Sequence, residues 1–266
     1  YDTLAGYQVH WNKVTRPEQS YEDLRAFVEG YMARSGDELE AYFRRELDVD
    51  RYVSYLAVTV FLSHWDSLIK NFYWVRDQER SGKWVVIPWD LDRTWGDHFE
   101  GEGVCSDPVL LGTEARMIAG SRKWWNRLRD RFLSLPTFRD MLYNRIAELM
   151  RGPLASTRLI HEMRNRASAG RELLRLDRQE WGFYSRRKTS GVDVYSRGAA
   201  SEAEFAHGME TLERYTQLRS SYLRSSARAY FSTRPPGSRR LTPSGAPPPE
   251  HGAALAEATP AGDEQE

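Results

Sequence analysis

The chain has 266 residues, 40% apolar and 12% aromatic, with 38 Lys+Arg against 38 Asp+Glu, which gives enough chain for one sizeable core and a balance that argues against general adhesion to nucleic acid or anionic membranes. A single cysteine, Cys105, excludes an intrachain disulfide framework and a multi-cysteine zinc site, and the longest apolar run, residues 56–62 broken by Thr59, is too short to span a bilayer. The neutral total hides a division: residues 1–115 carry 12 basic and 21 acidic side chains, whereas residues 116–188 carry 18 and 7.

Along the chain, Gly6 to Val14 reads as a short extended start. From Tyr21 to Ala33, Leu24, Phe27, Val28 and Tyr31 recur at helical spacing, and Ser35 to Leu47 repeats the pattern with Leu39, Tyr42 and Phe43 behind a Ser35 cap. Asp50 to Leu62 forms a third helix, with Val53, Leu56, Ala57 and Val60 on one face. The pattern then changes. Asn71 to Val75 and Lys83 to Ile87 are β-branched and aromatic runs separated by a polar stretch, the signal of a β-hairpin, and Pro88 ends the second strand by removing a ladder donor.

From Ser121 the pattern is helical again, with Trp124, Leu128 and Phe132 in register and Pro136 at the first turn of a helix over Thr137 to Met150. Leu154 to Leu176 and Glu202 to Phe231 supply two or three more helices. Arg122 to Arg131 reads as a solvated face, Ser185 to Ser190 as a basic exposed loop, and the tryptophans as core or groove lining. The fold class expected is mostly α with one small β-hairpin, over residues 1–232. The stretch 233–266, rich in Pro, Ala and Gly and without aromatics, is expected to be a disordered tail.

The carboxylates of interest flank the hairpin. His64-Trp65-Asp66-Ser67-Leu68-Ile69-Lys70-Asn71 leads into its first strand, and Pro88-Trp89-Asp90-Leu91-Asp92-Arg93-Thr94-Trp95-Gly96 leaves its second. A hairpin returns the chain to its origin, so Asp66, Asn71, Asp90 and Asp92 are expected at its open end. Three carboxylates and a carboxamide are hard oxygen ligands that suit Mg²⁺ or Mn²⁺, and no imidazole or thiolate set for zinc lies nearby. The offsets match the kinase pattern H-x-D-x-x-x-x-N, in which the aspartate accepts the substrate hydroxyl proton and the asparagine holds a metal, followed after a hairpin by a second metal-binding aspartate. Taken alone, this spacing is equally compatible with ordinary turn residues.

The stretches Asn71-Phe72-Tyr73-Trp74-Val75-Arg76-Asp77, Gly82-Lys83-Trp84 and Pro88-Trp89-Asp90-Leu91-Asp92-Arg93-Thr94-Trp95-Gly96 resemble the CotH-type spore-coat kinases, whose hallmark is N-F-Y-x-Y-R-D, G-K-W and P-W-D-L-D-x-T-x-G. The resemblance covers roughly residues 1–230 and implies the carboxy-terminal lobe of an atypical protein kinase using ATP with Mg²⁺ or Mn²⁺ on a protein substrate, in some members a spore-coat protein. It implies Asp66 as the catalytic aspartate, Asn71 and Asp90 as metal ligands and Asp92 as a further metal ligand or an acceptor behind it. The lysine often found two residues after the aspartate is replaced by Leu68, which leaves Lys70 as the candidate cofactor-binding cation. The family's amino-terminal lobe, with its ATP-holding strands and lysine, is expected before Tyr1, so this chain alone is expected to catalyse weakly. Gly101-Glu102-Gly103 lies in a loop expected at the position of an activation segment. Two rivals remain: a non-catalytic coat or surface protein retaining the lobe as scaffold, and a metal-dependent phosphoester hydrolase. Location at a spore coat or cell surface follows from the resemblance alone.

Overall fold

A computed structural model describes residues 7, 11–64, 67, 70–76, 78–91, 94–96, 126–173, 175–176, 183–189, 192–198 and 202–233, with the backbone alone for 183–189, 192–198 and 202–204. The chain divides into two units, Tyr1–Arg234 and Pro235–Glu266, and the expected tail falls, but for Thr233, outside the described residues. In the first unit the order is α1 (Glu22–Met32), α2 (Gly36–Glu46), α3 (Val49–Leu62), β1 (Phe72–Arg76), β2 (Trp84–Pro88), α4 (Arg127–Leu133), α5 (Pro136–Arg151), α6 (Ser156–Ala169), β3 (Phe183–Thr189), β4 (Val192–Gly198) and α7 (Glu202–Ser232). The fold is mostly helical, as expected.

Helix α3 is the centre. Its Val49, Tyr52, Val53, Leu56, Ala57, Val60 and Phe61 are all buried, packed against α5, β2 and α7. Its three buried valines and its aromatic residues are weak helix formers, so burial rather than propensity holds them. Asp48 caps the start by accepting from Arg51 N at 3.1 Å. Around this helix the core is aromatic: Phe132 stacks on Phe138 at 4.1 Å, Phe43 meets both edge-on, and Phe27 stacks on Trp84 at 5.4 Å. Each such ring contributes about 1.5–3 kcal/mol by leaving water.

The first hairpin pairs antiparallel from Phe72↔Pro88 to Arg76↔Trp84, one residue along from the expected bounds. Gly82, at φ 66, makes the turn that an L side chain would strain, and Arg76 Nε donates across it to Gly82 O at 3.0 Å. The outer edge of β2 is held by a parallel bridge between Leu47 and Trp84 and by Asp48 N donating to Trp84 O. Phe72 and Trp74 turn toward the core, whereas Tyr73, Val75 and Ile87 remain exposed.

Four expectations need correction. First, a second hairpin, β3–β4, stands where only a basic loop was expected. Its register leaves the dipeptide Ser190-Gly191 between strands, a hairpin signal that the adjacent Arg186-Arg187-Lys188 obscured. Second, in the described part of Arg122–Arg131 only Arg127 is exposed among the arginines. Arg129 is buried against Tyr52, Tyr55 and Asp130, and burial lowers its guanidinium pKa; Arg131 donates to Tyr31 O and Arg34 O at the end of α1, supplying carbonyls that a helix terminus leaves unpaired. Third, Ser35 precedes α2 without a side-chain cap bond. Fourth, Tyr7 is helical, its carbonyl accepting from Trp11 N at 2.8 Å, and residues 11–14 are irregular rather than extended. Among the described tryptophans Trp89 is the exposed exception, at 60%.

Candidate functional site

The site begins where α3 stops. Ser63 takes the left-handed conformation at φ 50, Ser63 N donates to Val60 O and His64 N to Thr59 O, a paired closure of the helix end that ordinarily calls for glycine. Ser63 tolerates it because α7 supports it from behind. The Tyr215 hydroxyl donates to Phe61 O at 2.8 Å and lies 2.8 Å from Ser63 Oγ. Arg219 donates from Nε to Val60 O at 3.2 Å and again from Nη2. Trp95 N donates to Leu62 O at 2.7 Å. The carbonyls of residues 59 to 62, which a helix leaves unpaired, thus each receive a donor.

This brace fixes both halves of the motif to one helix end. His64 leaves α3 buried, and its carbonyl accepts from Ser67 Oγ at 2.6 Å. On the other side of the hairpin, Thr94 Oγ1 closes onto Leu91 O at 2.8 Å and Trp95 packs edge-on against Phe61 and Tyr215. Tyr215, Thr216, Arg219 and Ser220 are almost fully buried, although all four are polar.

Of the four residues expected at the hairpin's open end, Asn71 and Asp90 are described and lie next to each other there. Trp89 N donates to Asn71 O at 2.9 Å, continuing the ladder one step, and Asn71 Nδ2 lies 3.4 Å from Asp90 O. Both residues have left-handed backbone, φ 64 and φ 54. With Ser63 and Trp95 (φ 59), four non-glycine positions of positive φ lie around this end, and such strain concentrates where a site over-determines its geometry. Asp66 and Asp92 lie outside the described residues, as does Gly101-Glu102-Gly103. Among the described residues no three His, Cys, Asp or Glu side chains converge on a metal position. Asn71 and Asp90 are nonetheless oxygen donors of the hard type at one end of one hairpin.

Lys70 and Asn71 line one end of a cleft of about 980 Å³ that runs along β1 beneath the segment Trp11–Gln19. Its floor includes the exposed Tyr73, Val75 and Ile87. The segment is fastened over the strand by Trp11 against Phe72 at 6.5 Å, by Tyr21 Oη donating to Trp11 O at 2.9 Å, and by Arg16 Nη1 donating to Gln78 Oε1 at 2.5 Å. A second cavity of about 540 Å³ lies on the other side of β2, between Val85–Pro88 and the outer face of α3, with His64 in its wall.

Sequence reasoning named the hairpin-end residues but missed Tyr215, Arg219 and Ser63. The available signal was a helix pattern out of phase with polarity: on α7, Arg219 is buried while its neighbour Leu218 is exposed. Without the partner carbonyls that pattern has no reading.

Comparison with known proteins adds two findings. A family described as CotH kinase protein matches residues 3–223. Inner spore coat protein H of Bacillus subtilis (strain 168) is 35% identical over 138 residues, which cover 50% of this chain and 38% of that protein. The chain therefore spans well under two thirds of that relative's length.

Proposed function

The chain belongs to the CotH kinase family, and from that membership we propose that it carries the phosphoryl-transfer site of a protein kinase, passing the γ-phosphate of ATP to a Ser or Thr hydroxyl of a protein. The observation that carries the reading is the meeting of Asn71 and Asp90, both in left-handed backbone, at the open end of the first hairpin.

Each residue has a role in this reading. Asp66, two residues beyond the braced His64, orients the acceptor hydroxyl and takes its proton. Asn71 and Asp90, with Asp92, would hold a divalent cation through their oxygen atoms. That Mg²⁺ or Mn²⁺ ion, when bound, neutralises phosphate charge. Lys70, at the same end of the cleft, offers an ammonium to the phosphates, and the apolar floor of Tyr73, Val75 and Ile87 offers a flat face to the base. The brace from Tyr215 and Arg219 fixes the helix end from which the chain leads on to Asp66, and small displacements of catalytic groups are costly to rate. By the name of its relative, the protein is proposed to act at the spore coat, on a coat or surface protein.

The test is phosphate incorporation from γ-labelled ATP with Mn²⁺ into a Ser/Thr-containing acceptor, using the protein at its natural full length. Asp66→Asn is expected to lower the rate by about 10² or more, with folding unchanged. Equal incorporation by wild type and Asp66→Asn would remove Asp66 from the chemistry. A folded wild-type protein that binds no nucleotide would leave the scaffold reading, and hydrolysis of a simple phosphoester without transfer would leave the hydrolase.

A further inference from the structure

The second hairpin has no part in the proposed phosphotransfer. Its strands pair from Phe183↔Gly198 to Thr189↔Val192, and among the described elements their substantial packing is with each other. A two-stranded sheet alone is marginal in water and gains stability when a further strand or face joins it. It forms a sheet of two, so each strand has one outer edge outside the β3–β4 ladder.

Register sorts the residues by face, because side chains alternate along a strand. Tyr184, Arg186 and Lys188 fall on one face with Arg197, Tyr195 and Asp193, in the cross-strand pairs Tyr184↔Arg197, Arg186↔Tyr195 and Lys188↔Asp193. That face holds three cations against one anion, interleaved with two tyrosines. The opposite face, with Phe183, Val192 and Val194, holds the single cation Arg187.

The register points to a docking surface: the structure assigns the β3–β4 hairpin to capture of an extended acidic segment of a partner protein. The segment adds along an outer edge as a third strand, so that Asp or Glu residues two apart fall on the face of Arg186, Lys188 and Arg197. Main-chain bonds along the edge supply affinity, and the charges supply selectivity. A peptide is favoured over a nucleic acid or a membrane because a strand edge that pairs with no other strand among the described residues matches peptide backbone, and because the chain's formal net charge is zero. The inference stands without phosphotransfer and is tested without ATP, so the failure of either leaves the other to be judged.

The probe is a fluorescein-labelled peptide of alternating Glu and Thr, titrated with the whole chain by fluorescence anisotropy. Binding is expected to weaken as salt rises. Arg186→Gln, Lys188→Gln and Arg197→Gln together should weaken it about tenfold, whereas Arg187→Gln on the other face should change it by less than about twofold. Equal loss from Arg187→Gln, unchanged affinity in the triple variant, or tighter binding to an oligonucleotide or to anionic phosphatidylserine vesicles would overturn the proposal. Should the triple variant lose its strands by circular dichroism, salt-independent binding by the wild type would overturn it equally.

Discussion

Asn71 and Asp90 occupy backbone conformations, φ 64 and φ 54, in which most L residues place Cβ against a carbonyl oxygen at a cost of roughly 1–2 kcal/mol. Asn and Asp enter this region more readily than other side chains. Backbone and chemistry can therefore be separated at one position. Asn71→Gly keeps the conformation and removes the carboxamide; Asn71→Ala removes the carboxamide and adds the strain. Denaturant midpoints should show Asn71→Ala less stable by about 1 kcal/mol and Asn71→Gly near wild type, while nucleotide binding falls equally in both. A loss confined to Asn71→Ala would assign the residue to the backbone alone. The identity of both residues was legible in the sequence, from the H-x-D-x-x-x-x-N offsets and the P-W-D-L-D motif. Their shared left-handed conformation was not, because φ depends on how the ladder closes between Asn71 O and Trp89 N.

At the scale of elements, the end of α3 decides where the motif stands. Its carbonyls 59 to 62 are answered by the chain's own turn, by Arg219 and Tyr215 of α7, and by Trp95. Tyr215→Phe removes one buried hydroxyl and should cost about 1 kcal/mol; Arg219→Met removes two donors from a charged group and should cost about 1.5–3 kcal/mol, read as lowered urea midpoints. The two residues stand one turn apart on α7, so their effects should not add. Midpoints unchanged in Arg219→Met would show that α7 does not brace this end. The helices α1, α2, α3 and α5 were legible because apolar residues repeat at helical spacing over a core they all share. The brace was not, since it joins residues about 155 apart in sequence through polar groups that periodicity reads as surface. The second hairpin escaped for a related reason: charged residues carry its alternation, and the hydropathy pattern of a half-buried strand is absent.

For the molecule as a whole, the buried tyrosines set an alkaline limit. Burial pushes the Tyr31 and Tyr52 phenols well above their ordinary range, with smaller rises at Tyr42, Tyr55 and Tyr230. The unfolded chain then releases these protons at lower pH than the native state, so unfolding is favoured as pH rises past the unfolded tyrosine value of about 10. Thermal midpoints are expected to hold up to about pH 9 and fall above it, with Tyr52→Phe flattening the fall; a midpoint rising through pH 10 would have the sign wrong. The charge division has also gained a meaning. The acidic first 115 residues include the oxygen donors of the proposed site, and the basic stretch that follows turns described members inward, Arg129 in the core and Arg131 on the end of α1. In the proposed function Asn71 and Asp90 together hold a metal–nucleotide complex. The most direct test of this is calorimetric titration of Mn²⁺–ATP into the protein at natural full length, wild type beside Asp90→Ala and Asn71→Gly. Saturable one-to-one binding by the wild type, lost in both variants while their unfolding midpoints stay intact, is the result predicted; equal binding by all three would contradict it.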